Sequence, residues 1–489
     1  MEFCTPEKTG IHSENILEYI KILEQSRLAT HNVLIMRGGK LLYEAYWKPF
    51  DVDFKHRMYS VTKSFVAIAI GFLEQEGKLS LDDKISKYYS EELKNQSDQN
   101  MHNQTIRHML MMSTAKREQN WFAAKPEDRV EYYFQNDNKE SRPSGTIFQY
   151  DSSGSFVLGA LVEKLSCMSL IDYLRSRLFN KIGVSEGAYC LKCPGGYSWG
   201  DSALICTPRD LMIVAQFIMN KGRWNGEQIL NEKFVTEATS KQISNTILND
   251  NEYSTQGYGY LIWKTFDNSF FFNGMGCQFA ICVPDKDIIM VYNADNQGKD
   301  YAKKIIIDNF FKLIVRTAVD EELPENYAAA KELADYSSQL KLLSTYGEKK
   351  STTVEKINNR TYRLEENAMG ITKIRFEFNE DGGILYYSNA QGDKEIRFSM
   401  CENVFTTFPQ DGYSDEMATV PGNRRYKCAV SAAWIEETHL TVKVQVIDIY
   451  FGVLDMHFGF RDNLVGVQMI KTAEDFFNEY NGFASGVLI

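Results

Sequence analysis

Ser60-Val61-Thr62-Lys63 opens the run Ser64-Phe65-Val66-Ala67-Ile68-Ala69-Ile70-Gly71-Phe72-Leu73. The apolar positions Phe65, Val66, Ile68, Ala69, Phe72 and Leu73 recur at helical spacing, so the run predicts a helix with one face in a core. In a helix, residues i and i+3 share a face. Lys63 is therefore expected beside the Ser60 hydroxyl, at the floor of a cleft. A serine attacks a carbonyl only when a neighbouring group takes its proton, and an amine placed here supplies one. The same spacing recurs at Ser113-Thr114-Ala115-Lys116 and Ser338-Gln339-Leu340-Lys341. Context separates the three. Ser113 closes a helical run (Ile106, Met109, Leu110, Met111), and Ser338 lies in a polar, helical connector. On the tetrad alone, an ordinary helix-start serine with a solvated lysine reads equally well.

Working outward, 489 residues predict two or three domains with room for a large core. Hydrophobic residues make up 44% and charged residues 24%, a normal globular balance. The net charge of −11 argues against a nucleic-acid partner, which would need clustered basic residues. No apolar stretch is long enough for a membrane span, and Met1 to Lys8 lacks a basic-then-apolar leader. A cytoplasmic protein with no membrane partner is expected. Nine scattered cysteines, an odd number, fit reduced thiols better than a disulfide framework. Cys190 and Cys193 form a lone C-x-x-C without a second ligand pair, so they read as loop thiols, with no metal or other cofactor.

The first 318 residues alternate strand and helix. Ser13 to Leu23 is an amphipathic helix. Asn32 to Arg37 and Leu41 to Tyr46 form a hairpin around Gly38-Gly39. Helices are expected from Thr105 to Met112, Gly154 to Leu165 and Thr207 to Met219, the last with Thr207 as cap, Pro208 in the first turn and Asp210 behind it. Strands are expected at Gly259 to Trp263, Ser269 to Phe272, Phe279 to Val283 and Ile288 to Tyr292, then a helix from Tyr301 to Ala318. This is an α/β (α+β) layer arrangement over residues 1–320. Residues 321–350 read as a helical linker. From 351 to 489 the period changes to two: Ile374, Phe376 and Phe378 alternate with Arg375 and Glu377, and Leu440, Val442, Val444 and Val446 with Thr441, Lys443 and Gln445. That predicts a C-terminal antiparallel β domain, barrel or sandwich.

A serine–lysine site also needs a proton donor for the leaving group and donors for the oxyanion. Pro143-Ser144-Gly145-Thr146-Ile147-Phe148-Gln149-Tyr150-Asp151-Ser152 has the form of a tight loop that offers a phenol and a hydroxyl on one edge. A phenol works as acid or base only beside a cation that lowers its pKa, and Lys63 is a candidate. Taken alone, the segment fits a packed loop tyrosine as well. Tyr387-Ser388-Asn389 has a similar form but lies in the β domain without a second piece. In Phe272-Asn273-Gly274-Met275-Gly276-Cys277-Gln278-Phe279, two glycines interrupt apolar strand text. Such glycines mark either a bulge or the close approach of a ligand or backbone.

The succession Ser60-x-x-Lys63, Tyr150-x-Ser152 and Gly274-Met275-Gly276 resembles the serine β-lactamase and penicillin-binding-protein superfamily, in its class C-type esterase and 6-aminohexanoate-dimer hydrolase branch. Further matching text is His56-Arg57-Met58-Tyr59, Gly77-Lys78-Leu79-Ser80-Leu81-Asp82-Asp83, Thr105-Ile106-Arg107-His108-Met109-Leu110, Thr207-Pro208-Arg209-Asp210-Leu211 and Gly222-Arg223-Trp224-Asn225-Gly226. The resemblance runs from about Thr5 to Phe311. It implies a β-lactamase-like domain: an antiparallel sheet flanked by helices, plus an all-α cluster. It implies Ser60 as acylated nucleophile, with Lys63 and Tyr150 sharing its proton. It also implies an oxyanion hole from the Ser60 and Cys277 amides, and substrate contacts at Ser152, Gly274, Met275, Gly276 and Gln278. Two departures weigh against efficient β-lactam turnover. Ser152 stands where the family has Asn, and Gly274 stands where Lys or His usually meets the substrate carboxylate.

The expected activity is hydrolysis of a small ester or amide through a Ser60 acyl-enzyme. Acyl transfer from the same intermediate is one alternative. A non-catalytic binding or sensor protein that keeps the cleft is another. Neither oligomeric state nor substrate identity follows from the text.

Overall fold

Residues Glu2–Phe3 (β1), Thr30–Arg37 (β2) and Lys40–Tyr46 (β3) begin a sheet that Trp263–Lys264 (β4), Phe270–Gly274 (β5), Gln278–Val283 (β6) and Ile288–Ala294 (β7) complete. The strand order is β1-β3-β2-β7-β6-β5-β4. Neighbours run antiparallel except β1, which pairs parallel with β3. The β2–β3 hairpin turns on Gly38 and Gly39, at φ 59° and 74°, the left-handed pair that two-residue hairpin loops demand. The computed structural model describes residues 1–489 except 117–123, 125, 136–139, 249, 412–424 and 475.

Helices Ser13–Gln25 (α1), Val61–Gln75 (α2), Ser152–Ser166 (α3), Pro208–Met219 (α4), Ala302–Phe310 (α5) and Tyr327–Ser337 (α6) pack around this sheet or on one another. Ile16, Ile20 and Leu23 of α1 and Ile306 and Phe310 of α5 share one core with Val33, Phe279, Ile281 and Met290 of the sheet. Side chains alternate along a strand, so the residue after Ile281 faces the other way. Cys282 Sγ indeed lies 3.8 Å from the Ala215 carbonyl of α4. Each fully buried large aliphatic or aromatic side chain in such a core contributes roughly 1.5–3 kcal/mol.

Helix α2 is buried on every side from Val61 to Leu73, not on one face alone. It lies against β5 and α3. Helix α4 starts as its sequence requires. Thr207 Oγ1 accepts from the Asp210 amide, and the Asp210 carboxylate accepts from the Thr207 amide, with Pro208 in the first turn.

Three expectations need correction. Only Trp263–Lys264 of the text around Gly259 to Trp263 is strand. Leu261 is left-handed (φ 54°), and the Tyr260 and Leu261 amides donate to Ala238 and Leu110 carbonyls. The helix expected from Tyr301 to Ala318 is α-helical only to Phe310 and continues as a wider turn over Phe311–Val315. Helix α6, expected in a linker, buries Ala329 and Leu333 and packs on α1.

The described residues divide into two compact units, Met1–Lys341 and the chain from Leu342 onward. In the second unit, strands Thr361–Leu364 (β8), Lys373–Phe378 (β9), Gly382–Asn389 (β10), Gly392–Met400 (β11), Val404–Thr407 (β12), Lys427–Glu436 (β13), His439–Ile447 (β14), Phe451–Arg461 (β15), Leu464–Thr472 (β16) and Gly482–Leu488 (β17) form one sheet. A parallel pairing of β11 with β13 closes nine strands into a barrel. Of the two forms expected, the barrel is the one observed. Phe376 sits at its centre, with Phe398, Phe458 and Phe460 ring centroids 6.4, 4.9 and 6.0 Å away. Among the described residues, no single helix is long and apolar enough to cross a membrane.

Candidate active site

Ser60 occupies the N-cap position of α2 with φ −66° and ψ −8°, and its side chain makes no capping hydrogen bond. The residue before it, Tyr59, is left-handed at φ 46°. That conformation costs a non-glycine residue about 1–2 kcal/mol and persists only where neighbours fix it. Here Thr62 Oγ1 donates to the Tyr59 carbonyl (2.6 Å), and the Arg57 guanidinium lies 4.3 Å from the Tyr59 ring centroid. The sharp entry sets the Ser60 side chain at the positive end of the α2 dipole, which favours a developing alkoxide.

Lys63 follows one turn later and is 2% exposed. Its Nζ is 2.9 Å from Ser60 Oγ and donates to the Asp201 carbonyl at 2.7 Å. The helical i, i+3 geometry read from the tetrad thus produces the pair. No sequence signal links Asp201 to Lys63, from which 138 residues separate it. It is delivered by the segment Ser202–Cys206. The Met58 amide donates to the Leu204 carbonyl, the Leu204 amide donates to Thr62 Oγ1, and buried Arg57 donates to the Ser202 carbonyl and hydroxyl. The Asp201 side chain is itself buried. Burial pushes its carboxyl above the usual carboxylate range, against the opposing charges of Lys63, Arg129 and Arg57.

Tyr150 comes from the loop before α3. The Lys63 ammonium lies 5.1 Å from its ring centroid. On the Tyr150 ring also stacks Trp263, with centroids 5.7 Å apart and planes 25° apart. In sequence Trp263 stands in strand text, and nothing in its spacing ties it to Tyr150. Ser152 is the first residue of α3, half-buried, next to Asp151, whose carboxylate caps the helix by accepting from the Gly154 amide.

The third segment reaches the same place. Strands β5 and β6 are joined by Met275, Gly276 and Cys277, with Gly276 and Cys277 both at φ 74°. Gly274 has to be glycine: a Cβ there would stand 2.4 Å from the Met58 carbonyl oxygen. That close approach brings the turn beside the strand leading into Ser60. No described acceptor takes the Ser60 or the Cys277 amide. Burial pushes the Cys277 thiol up to about 12, so it stays protonated at neutral pH. Met275 is 37% exposed and open to a ligand. Gln278 is not, which corrects its expected role as a substrate contact. It is fully buried, and its amide donates to the Met275 and Ala294 carbonyls.

The site therefore assembles Ser60, Lys63 and Tyr150 from two distant stretches of chain, with the Gly274–Cys277 turn adjacent. The C-x-x-C thiols have other partners: Cys190 Sγ donates to the Trp199 carbonyl, and Cys193 Sγ accepts from Arg129.

The chain is 23% identical over 248 residues to the 6-aminohexanoate-dimer hydrolase of Paenarthrobacter ureafaciens, covering 47% of this chain and 63% of that protein. It is 25% identical over 171 residues to penicillin-binding protein 4* of Bacillus subtilis, covering 32% of this chain and 36% of that protein. In fold, it is similar to the octameric penicillin-binding protein homologue from Pyrococcus abyssi, at TM-score 0.50 and 16% identity, over 96% of this chain and 99% of that one. The beta-lactamase family model matches residues 19–306, more than half of the chain, and the protein belongs to that family.

Proposed function

We propose that the protein is a serine hydrolase that cleaves a small ester or amide through an acyl-enzyme on Ser60. The observation that carries this reading is the buried Lys63 amine, 2.9 Å from Ser60 Oγ and against the Tyr150 ring. In the reactive state the amine is neutral and accepts the Ser60 proton as Oγ bonds to the substrate carbonyl carbon. The carbonyl oxygen gains the negative charge, and the Ser60 and Cys277 amides receive it. Collapse of the tetrahedral intermediate expels the alkoxide or amine, which takes a proton through Tyr150 from Lys63. Water then repeats the sequence, losing its proton to the Lys63–Tyr150 pair and releasing the acid.

The relation to a 6-aminohexanoate-dimer hydrolase supports amides as well as esters within range. The absence of a side chain at Gly274 supports slow turnover of β-lactams, since no cation from that position meets their carboxylate. Intact-mass spectrometry after a fluorophosphonate probe, paired with p-nitrophenyl ester turnover, tests the reading. Wild type gains one adduct on Ser60. A Ser60→Ala protein that still labels and turns over like wild type refutes it.

A further inference from the structure

Three amide side chains cross the middle of the sheet. Asn32 of β2 stands opposite Asn293 of β7. The pairing of Phe279 with Tyr292 puts Gln278 of β6 beside Asn293, and Gln278 in turn pairs with Gly274 of β5. All three amides are 0% exposed. Asn32 Nδ2 donates to Asn293 Oδ1 at 3.0 Å, and Asn293 Nδ2 donates to Gln278 Oε1 at 2.9 Å. Gln278 Nε2 then donates to the Ala294 carbonyl at 2.6 Å and to the Met275 carbonyl at 3.1 Å. A buried amide left unpaired is costly, and apolar residues would fill a sheet centre without that cost. The row ends at the functional site, not in bulk structure. Asn293 Nδ2 is 3.6 Å from Met58 Sδ, and Gly274 lies against the Met58 carbonyl, two residues before Ser60.

We infer that Gln278 is a positioning residue for the oxyanion-binding turn Met275–Cys277, an assignment that rests on the acyl-enzyme reading above. The Met275 carbonyl fixes the plane of the Met275–Gly276 peptide, and Gln278 holds that carbonyl. The Gly276 carbonyl is held separately by the Asn296 amide at 3.1 Å. Cys277 is a non-glycine residue in the left-handed region, so the turn needs such restraints to keep its shape. The direction of the Cys277 N–H follows from the two peptides ahead of it. An oxyanion donor contributes only when it sits within hydrogen-bond reach of the developing charge. Gln278 touches neither substrate nor reacting atoms; it acts through the turn.

The test compares Gln278→Met and Gln278→Glu with wild type in p-nitrophenyl ester turnover and fluorophosphonate labelling. Loss of an interaction that matures in the transition state lowers kcat and leaves KM nearly fixed. Gln278→Met is expected to lose about tenfold or more in kcat, with KM within about twofold. Gln278→Glu keeps the shape and the acceptor for Asn293 but turns a carboxyl toward two carbonyls. Its kcat relative to wild type is expected to recover as pH falls and the buried acid gains a proton to donate. A folded Gln278→Met with wild-type kcat overturns the inference, as does a loss carried by KM alone. If Gln278→Met does not fold, Gln278→Glu decides, and a kcat ratio flat with pH overturns it. A wild type that never labels removes the acyl-enzyme reading itself, and this assignment with it.

Discussion

Two lysines of this chain follow a serine by three residues and are buried: Lys63, 2% exposed, and Lys116, 0% exposed. Their surroundings differ completely. Lys63 Nζ meets Ser60 Oγ, because Ser60 begins a helix and the two residues stack along one face. Ser113 comes after a helix has ended at Leu110, and Met112 between them is left-handed at φ 55°. Its hydroxyl donates to the His108 carbonyl, while Lys116 donates to the Tyr133 carbonyl and lies over that ring. Equal spacing therefore brings the amine to the hydroxyl only where the backbone between the two residues is helical. The contrast also shows that burial of a lysine does not by itself place its amine beside a hydroxyl.

The sharpest way to break this comparison is to remove each hydroxyl in turn. Ser60→Ala is expected to lower ester turnover by about 10³-fold or more, and Ser113→Ala to leave kcat within about twofold. Steady-state kinetics on both proteins decide it. Comparable losses from the two would mean that the tetrad's backbone setting does not select the nucleophile. Next in size is removal of the amines. Lys63→Met takes away the proton acceptor and is expected to cost about 10²–10⁴ in kcat. Lys116→Met leaves the Tyr133 carbonyl without its donor, so it is expected to lower stability by about 1–3 kcal/mol with kcat nearly unchanged. Thermal melts beside kinetics separate the two outcomes. A Lys116→Met protein that melts like wild type but turns over poorly would reverse the assignment.

Why the tetrad was readable and the rest was not follows from the range of the interactions involved. Ser60 and Lys63 interact through one helical turn, and so do Thr207 and Asp210 at the cap of α4; local geometry shows in local text. The β2–β3 hairpin and the alternating barrel strands are readable for the same reason. Asp201 and Trp263 reach the site only through tertiary packing, and nothing near them in sequence signals Lys63 or Tyr150. Gln278 misled in a more instructive way. The family resemblance implies a substrate contact there, and full burial of the side chain takes it away. The cue to burial is distributed, since Asn32 and Asn293 lie on separate strands that the fold lays side by side. The run from Gly259 to Trp263 has strand composition, yet its amides are taken by the Ala238 and Leu110 carbonyls. Strand preference yields to such packing readily.

A third buried lysine sharpens the comparison with the smallest expected effect. Lys264 on β4 is 8% exposed, and its Nζ donates to the Asn268 carbonyl at 2.7 Å. Burial pulls its pKa down from 10.5 to about 8, against the favourable charge of Asp285. Below about pH 8 the ammonium is charged in both folded and unfolded chains, and folding bears the full cost of burying it. Between about 8 and 10.5 the folded chain has released the proton while the unfolded chain still holds it. The unfolded state then binds more protons, so stability rises with pH across that window. Above it both states are neutral and the cost is gone. Lys264→Met removes the titration, so its melting temperature relative to wild type is expected to be highest below about pH 8 and to fall as pH climbs toward 10.5. Loss of the Asn268 contact shifts the difference by a constant and leaves its slope intact. Melts at several pH values in that window read the slope directly, and a flat difference would mean that Lys264 keeps an ordinary proton affinity. In that case burial would not be what distinguishes the electrostatics of Lys264 from those of a surface lysine.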